Sequence, residues 1–403
     1  MKKPPRNIRY SQQSLNLDDI DAVIDVLRSD WLTQGPSITA FEDRLVQYCS
    51  AQHAVAVSNG TAALHLACMA LGVTKGDIVW TSPNSFLASA NCARFCGADV
   101  DFVDIDPITR NLCVLELEKK LRLAKLNNTL PKVLIPVHFA GKSCDMRRIF
   151  ELSQEFGFSI IEDACHALGG TYNGKKVGCC EYSDLAVFSF HPAKVITTGE
   201  GGAILTNKSE LSEKIRCLLT HGMTRNTELM ENPSHGPWYY EQIALGLNYR
   251  ITDIQAALGF SQMKRFDAFV RQRQELAKRY YNKLVNLPII LPDSSDIEAC
   301  AFHLFPIGVD KKIRKTVFTA LRSKGIGVNV HYIPIHTQPY YQRLGFAWGN
   351  YPNAEKYYES AISLPLHPEL SFEDQDFICE SLEKILANVT TLSENTVADT
   401  SMS

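Results

Sequence analysis

The stretch Ser189-Phe190-His191-Pro192-Ala193-Lys194, followed by Thr197-Thr198-Gly199-Glu200-Gly201-Gly202, sets one lysine in a polar, glycine-rich loop just after an apolar run. Such a lysine can form a Schiff base when its surroundings lower its pKa enough to free the amine. Taken alone, Lys194 is better read as a solvated surface residue, as most lysines are. A second run, Ile160-Ile161-Glu162-Asp163-Ala164, puts an acid at the end of a buried strand, where substrate sites gather in open α/β sheets. A carboxylate buried there needs a cationic partner. The pyridinium nitrogen of pyridoxal phosphate is one, because an Asp beside it keeps the ring protonated and able to draw electrons. Without Lys194, Asp163 would serve as readily to cap the segment that follows. Third, Ser58-Asn59-Gly60-Thr61-Ala62-Ala63 reads as a strand-to-helix turn whose free N–H groups could hold a phosphate, or simply start a helix.

The elements that must position these residues are legible as apolar runs. Ala54–Val57, Ile78–Trp80, Val133–Val137, Ser159–Ile161, Leu185–Phe188 and Ala203–Leu205 are continuous enough for strands covered on both faces. Helical patterns such as Thr61–Leu71 and Met146–Glu155 alternate with them, which predicts an α/β domain built on a mostly parallel sheet. After Asn248 the pattern changes to a long helical stretch, Asp253–Leu287, and then to a mixed segment with strands expected at Ala301–Phe305 and Gly327–Val330. This predicts a large domain over residues 1–260, a smaller α+β domain over 261–388, and a disordered Ser/Thr-rich tail over 389–403.

Composition bounds the function classes. The chain has 403 residues, 45% hydrophobic and 21% charged, enough for two cores. A net charge of -3 with mixed signs offers no basic stripe for a nucleic-acid backbone. The basic start, Met1-Lys2-Lys3-Pro4-Pro5-Arg6, runs into no apolar stretch, and the most apolar segment, His53–Val73, is interrupted by Ser58-Asn59-Gly60-Thr61 and His65. Neither a signal peptide nor a membrane span is expected, and the cytoplasm is the expected compartment. The 12 cysteines are scattered without a Cys-x-x-Cys pair, which predicts reduced thiols and no metal site.

Taken together these residues resemble the pyridoxal-phosphate-dependent sugar aminotransferases of the DegT/StrS type, within the aspartate-aminotransferase fold. The resemblance runs from Tyr10 to Leu382. It rests on Asp30-Trp31-Leu32-Thr33-Gln34-Gly35-Pro36, the Asn59-Gly60-Thr61 turn, Glu162-Asp163-Ala164-Cys165-His166-Ala167, the Lys194 loop and Gly246-Leu247-Asn248-Tyr249-Arg250. It implies that Lys194 carries the cofactor, that Asp163 pairs with the pyridinium nitrogen and that Phe86 stacks on the ring. Gly60, Thr61 and Ser189 would hold the phosphate, and His166, often Gln in the family, would hydrogen-bond the phenolic oxygen. Asn248 would reach the phosphate in a neighbouring subunit, which implies a homodimer with shared sites.

Within the family, Pro237-Trp238-Tyr239-Tyr240-Glu241-Gln242, Phe139-Ala140-Gly141-Lys142-Ser143 and His331-Tyr332-Ile333-Pro334-Ile335-His336 look like the members that use L-glutamate to aminate the C4 ketone of a UDP-linked 4-keto-6-deoxy-N-acetyl hexose for pseudaminic acid. Tyr10, Asp30, Trp31, Leu32, Thr33, Asn329, Val330, His331 and Tyr332 match substrate-contacting segments there, while core packing is the plain alternative for the aromatic ones. Two rivals stay open: an aminotransferase for another nucleotide keto sugar of the perosamine type, and a non-catalytic regulator that binds the same cofactor. A dehydratase of this fold usually carries His in place of the lysine, so Lys194 argues against it.

Overall fold

The apolar runs become a seven-stranded sheet in a computed structural model that describes residues 7–400, with side chains over 7–389. Its strands are β1 (His53–Val57), β2 (Ile78–Thr81), β3 (Asp99–Phe102), β4 (Val133–Ile135), β5 (Ser159–Asp163), β6 (Leu185–Ser189) and β7 (Gly202–Thr206), in the order β1-β7-β6-β5-β4-β2-β3. From β6 through β5, β4 and β2 to β3 every pairing is parallel, and β7 alone runs against its neighbours β1 and β6. The sheet is mostly parallel, as the α/β reading expects.

Helices cover both faces. On one lie α3 (Gly60–Ala70), α4 (Ala88–Phe95) and α7 (Ser209–Leu219), packed on Val55, Val57, Val79, Ile135, Ile161 and Val187. The other face is shared. Residues of α2 (Pro36–Cys49), α8 (Asp253–Met263) and α9 (Phe266–Leu284) meet Ala54, Ala56, Ala186 and Phe188, while α5 (Val114–Asn127) and α6 (Met146–Phe156) meet Trp80, Leu134 and Ile160. Alternate residues of β1 thus enter different cores, as the two-residue period of a strand requires. Helix α1 (Leu17–Arg28) lies against α8 and starts with a capping box between Asn16 and Asp19.

Four segments depart from the sequence expectation. The run Val133–Val137 pairs as a strand only to Ile135, because Pro136 has no N–H to give the ladder. The stretch Asp253–Leu287 is two helices. At Arg265 the backbone leaves the helical region (φ -106°, ψ 2°), and its guanidinium is held by Asp19 and by the Ser14 carbonyl. The strand expected at Ala301–Phe305 begins only at Phe305. It runs Phe305–Gly308, antiparallel to Ala361–Leu364. Ahead of it Phe302 has φ +48°, and Ala301 donates its N–H to Gly141. Gly327–Val330 forms no strand: Asn329 makes a single bridge to Ser363, and Ile326 just before the run bridges Ile8.

A separate core joins Leu276, Tyr280 and Leu284 of α9 to Phe305, Ile307, Leu321, Ile362, Leu364, Ile378 and Leu382, with Ile8 inserted from the N-terminal segment. On this distribution we propose a domain division near residue 260, with Ile8 crossing it. The C-terminal helix runs Phe372–Thr400, so its backbone continues through most of the stretch expected to be a disordered tail. Its first turns are anchored by Ile378, Leu382 and Ile385, and each further residue of a helix already nucleated adds a hydrogen bond at little cost. Residues 1–6 and 401–403 lie outside the described residues.

The close approach of β7 to the turn after β1 makes a specific demand. A Cβ on Gly202 would lie 2.7 Å from the backbone carbonyl carbon and oxygen of Asn59. Gly202→Ala is therefore expected to lower the unfolding free energy by roughly 1–3 kcal/mol. Urea denaturation should show the midpoint falling with the slope unchanged.

Candidate active site

The carboxyl ends of β5 and β6 and the turn after β1 open onto one cavity of about 790 Å³. Asp163, the last residue of β5, is 5% exposed and fully engaged. Its Oδ2 accepts a hydrogen bond from Ser89 Oγ at 2.5 Å, and its Oδ1 accepts the Cys165 N–H at 3.2 Å. Ser85 Oγ stands 2.7 Å from Ser89 Oγ and extends this chain. The carboxylate is therefore aimed by helix α4 as well as by its own strand.

Lys194 reaches the same cavity from a loop that folds over its own base. Phe190 donates its N–H to Gly201, and its carbonyl accepts the Thr198 N–H and the Thr197 hydroxyl. The Phe190 ring is buried edge-on against Phe41, 5.1 Å between centroids. Burial pushes the Lys194 ammonium below the usual lysine range, and the nearby Cys165 and Asp163 only partly offset this. Cys165, by the same burial and the Asp163 charge, is held as a neutral thiol.

At the far end the N-terminus of α3 points into the cavity. Asn59 Oδ1 accepts the Ala62 N–H at 2.8 Å and caps the helix, while the first-turn N–H groups of Gly60 and Thr61 have no acceptor within the helix. Gly60 is required by contact: a Cβ there would stand 2.9 Å from Ser189 Cβ. The small residue lets the two turns close into a cradle of amides and one hydroxyl, suited to an anion.

The remaining wall comes from two further segments. One carries His166, whose Nδ1 accepts the Ala140 N–H at 3.3 Å and whose Nε2 lies 3.0 Å from the Tyr332 hydroxyl. The other is Asn329 to Tyr332, in which His331 Nδ1 lies 2.8 Å from Ser363 Oγ. Burial first, then the charge of Lys194, pushes His331 down to about 4 and His166 well below the ordinary range.

Of the residues singled out from sequence, the structure brings Tyr10, Gly60, Thr61, Phe86, Asp163, His166, Ser189, Lys194, Asn329, Val330, His331 and Tyr332 to this one cavity. It does not bring Asp30, Trp31, Leu32, Thr33 or Asn248, which are all exposed and outside the wall. Thr33 is bridged to Thr252 and Asn248 to Thr220, on the chain segment that leads away from the Ser58 turn. Ser89, Cys165 and His303 line the cavity as well, outside the set of residues expected from sequence. The four-residue spacing of Ser85 and Ser89 was a visible signal for the first; His303 was hidden in an expected strand.

With this geometry the chain can be compared with known proteins, and it matches the aminotransferase pattern over residues 13–383. The chain belongs to the DegT/DnrJ/EryC1/StrS aminotransferase family. This aminotransferase is 39% identical to the spore coat polysaccharide biosynthesis protein SpsC of Bacillus subtilis, over 94% of this chain and 96% of that one. It is 37% identical to the UDP-4-amino-4,6-dideoxy-N-acetyl-beta-L-altrosamine transaminase of Campylobacter jejuni, over 95% and 98%. Among solved structures it resembles Helicobacter pylori PseC, an aminotransferase involved in the biosynthesis of pseudoaminic acid, with a TM-score of 0.86 and 33% identity, covering 95% of this chain and 100% of that one.

Solved relatives of this aminotransferase carry pyridoxal phosphate or its amine form, and the chain is a pyridoxal-phosphate-dependent sugar aminotransferase. Its cavity fits that group end to end: an anion cradle at Gly60, Thr61 and Ser189, a carboxylate fixed by Ser89, and a buried amine at Lys194. Among the described residues no helix is long and apolar enough to cross a membrane, no group of three or more His, Cys, Asp or Glu is placed to hold a metal, and the 12 cysteines are free thiols.

The buried histidines predict a pH dependence. His331 binds its proton near pH 4 in the fold but near 6.5 when unfolded, so its contribution to stability is complete above pH 6.5 and is lost as the pH falls toward 4. Denaturation at pH 7, 6 and 5 should show stability falling by up to about 1.4 kcal/mol per pH unit for this group. His331→Asn should shallow that slope.

Proposed function

We propose that this aminotransferase moves the amino group of L-glutamate to the C4 ketone of a UDP-linked 4-keto-6-deoxy-N-acetyl hexose, giving the 4-amino sugar used for pseudaminic acid. The observation that carries the chemistry is the pairing of Lys194, its amine freed by burial, with Asp163 on the same cavity. The choice of sugar is supported by the Campylobacter and Helicobacter relatives and by an aromatic, histidine-rich wall suited to a hexose ring. The slightly higher identity to SpsC favours, as a second reading, another nucleotide keto sugar.

When bound, pyridoxal phosphate supplies an electron sink for the charge left on the carbon that loses its proton. The protein does the rest. The α3 amides and Ser189 fix the phosphate end, and Asp163 keeps the ring nitrogen protonated, its own orientation set by Ser89. Lys194 Nζ would take the Cα proton of the amino donor and return a proton to C4 of the sugar, because among the described residues it is the one amine side chain on the cavity wall. Phe86, largely exposed on the cavity wall, would offer a stacking surface, and Tyr10, Asn329, Val330, His331 and Tyr332 on the same wall would contact the sugar. We further propose a cytoplasmic homodimer. Asn248 and the Asp30–Thr33 segment, exposed here, would then complete a partner's site.

Replacing Lys194 with Ala should abolish turnover, by at least a thousandfold on the scale of a lost acid–base group, together with the absorbance of the cofactor-bound lysine. Retained amination would refute the assignment. Product analysis with a panel of UDP- and GDP-linked keto sugars tests the substrate: the 4-keto-6-deoxy-N-acetyl hexose should turn over fastest, and preference for another sugar would favour the second reading.

A further inference from the structure

Behind the wall that carries the anion cradle, three sulfurs from two helices meet. Cys68 of α3 and Cys92 of α4 are fully buried, and Cys68 is hydrogen-bonded both to Cys92 and to Cys96, the residue that ends α4. Cys92 donates its own S–H to the Ser89 carbonyl at 3.4 Å. His65 stands three residues before Cys68, on the same face of α3, and shares a hydrogen bond with Cys96. Its ring packs on that of Phe95, 5.4 Å between centroids, and its Nδ1 lies 3.4 Å from the Tyr249 hydroxyl.

Buried thiols by themselves are small apolar side chains, and Cys68 and Cys92 serve that way in the core between α3, α4 and the sheet. Cys96 differs in two respects. It is half-buried at the edge of that core, so it is the sulfur of the three that a small reagent reaches from solvent. Its hydrogen bonds with Cys68 and then with His65 outweigh burial and pull it down to about 5, which makes it a thiolate at neutral pH. Cys68 is pushed well above the ordinary range by its contacts with Cys92 and Cys96 and by burial, so it keeps its proton until a reaction draws it. An accessible thiolate with a protonated thiol against it is the pairing of a reactive sulfur with a resolving one.

We propose that Cys96 is a site of oxidation by hydrogen peroxide, with Cys68 as the thiol that resolves it into a disulfide joining α3 to the end of α4. The Cys96 sulfur attacks one oxygen of the peroxide and the O–O bond breaks. The sulfur keeps that oxygen as a sulfenic acid, and the other oxygen leaves as hydroxide. Cys68 then gives up its proton, its sulfur attacks that of Cys96, and the S–O bond breaks to release water. The two sulfurs lose two electrons in all, and one peroxide is reduced to hydroxide and water. Gly60 and Thr61 start α3 and Ser89 lies in the first turn of α4, at the opposite ends of the two helices. The chemistry is therefore separate from transamination and from the choice of sugar.

Holoenzyme treated with equimolar hydrogen peroxide and mapped by mass spectrometry without reductant should yield a linked peptide pair, Cys68 with Cys96, that dithiothreitol separates. A link between Cys92 and Cys96, or no link containing Cys96, would overturn the assignment. Cys68→Ser should stop the reaction at the sulfenic acid, trapped on Cys96 by dimedone, and Cys96→Ser should leave Cys68 a free thiol. The wild-type map stands whether or not either variant folds. Alkylation of the holoenzyme by iodoacetamide gives a second reading. At pH 6 Cys96 should react roughly tenfold faster than an ordinary exposed thiol, since its larger thiolate fraction outweighs its lower nucleophilicity. Labelling of Cys96 no faster than that of the half-buried Cys113 or Cys217 would remove the reactive sulfur on which the peroxide chemistry rests.

Discussion

A primary amine and a carboxylate must both be kept from water on the wall of one cavity, and everything else in the site serves that constraint. Removing a lysine from water costs its charged form, which is what frees the amine for chemistry, while removing a carboxylate is tolerable only if its oxygens are hydrogen-bonded. The protein solves the two problems differently. Lys194 is half-buried on the cavity wall, and desolvation there lowers its hold on its proton. Asp163 is buried with both oxygens hydrogen-bonded, by Ser89 Oγ and by the Cys165 amide.

The sheet makes this division possible. Parallel strands deliver their carboxyl ends to one edge, so Asp163 on β5, Ser189 on β6 and the Asn59–Thr61 turn after β1 converge although more than a hundred residues separate the first turn from the last. Strand β7 runs the other way and brings its first residue, Gly202, back against Asn59. The cradle for the phosphate is thus built where two backbones touch, and glycine at positions 60 and 202 is a steric requirement of that contact.

The opposite wall depends on parts of the chain that follow no regular pattern. Phe302 and Ala140 both take positive φ, and with Gly141 they dock residues 299–304 against the 3₁₀ turn Phe139–Gly141. This contact sets His303 beside His166, whose Nδ1 accepts the Ala140 N–H. Side-chain direction here comes from backbone docking between the cores, which sets His166 and His303 on the same cavity wall as Lys194.

By itself the sequence determined the class of fold and the chemistry of the floor of the site. Buried strands are continuous apolar runs and helices are periodic, and a motif that spans a strand end, such as Glu162-Asp163-Ala164 or Asn59-Gly60-Thr61, keeps its meaning because its geometry is local. Edge strand Asp99–Phe102, with alternating acids, was not legible, since its burial on one side depends on a neighbour far along the chain. Nor could sequence say that Arg265 would break a long helix, for the Asp19 that holds it lies 246 residues away. Tertiary structure alone decided that Ser89 aims Asp163, that His166 lies beside Tyr332, and that Asn248 and Asp30–Thr33 are exposed. Each of these is a contact between distant segments, and the energy that selects it, a hydrogen bond formed out of reach of water, exists only after the cores have closed.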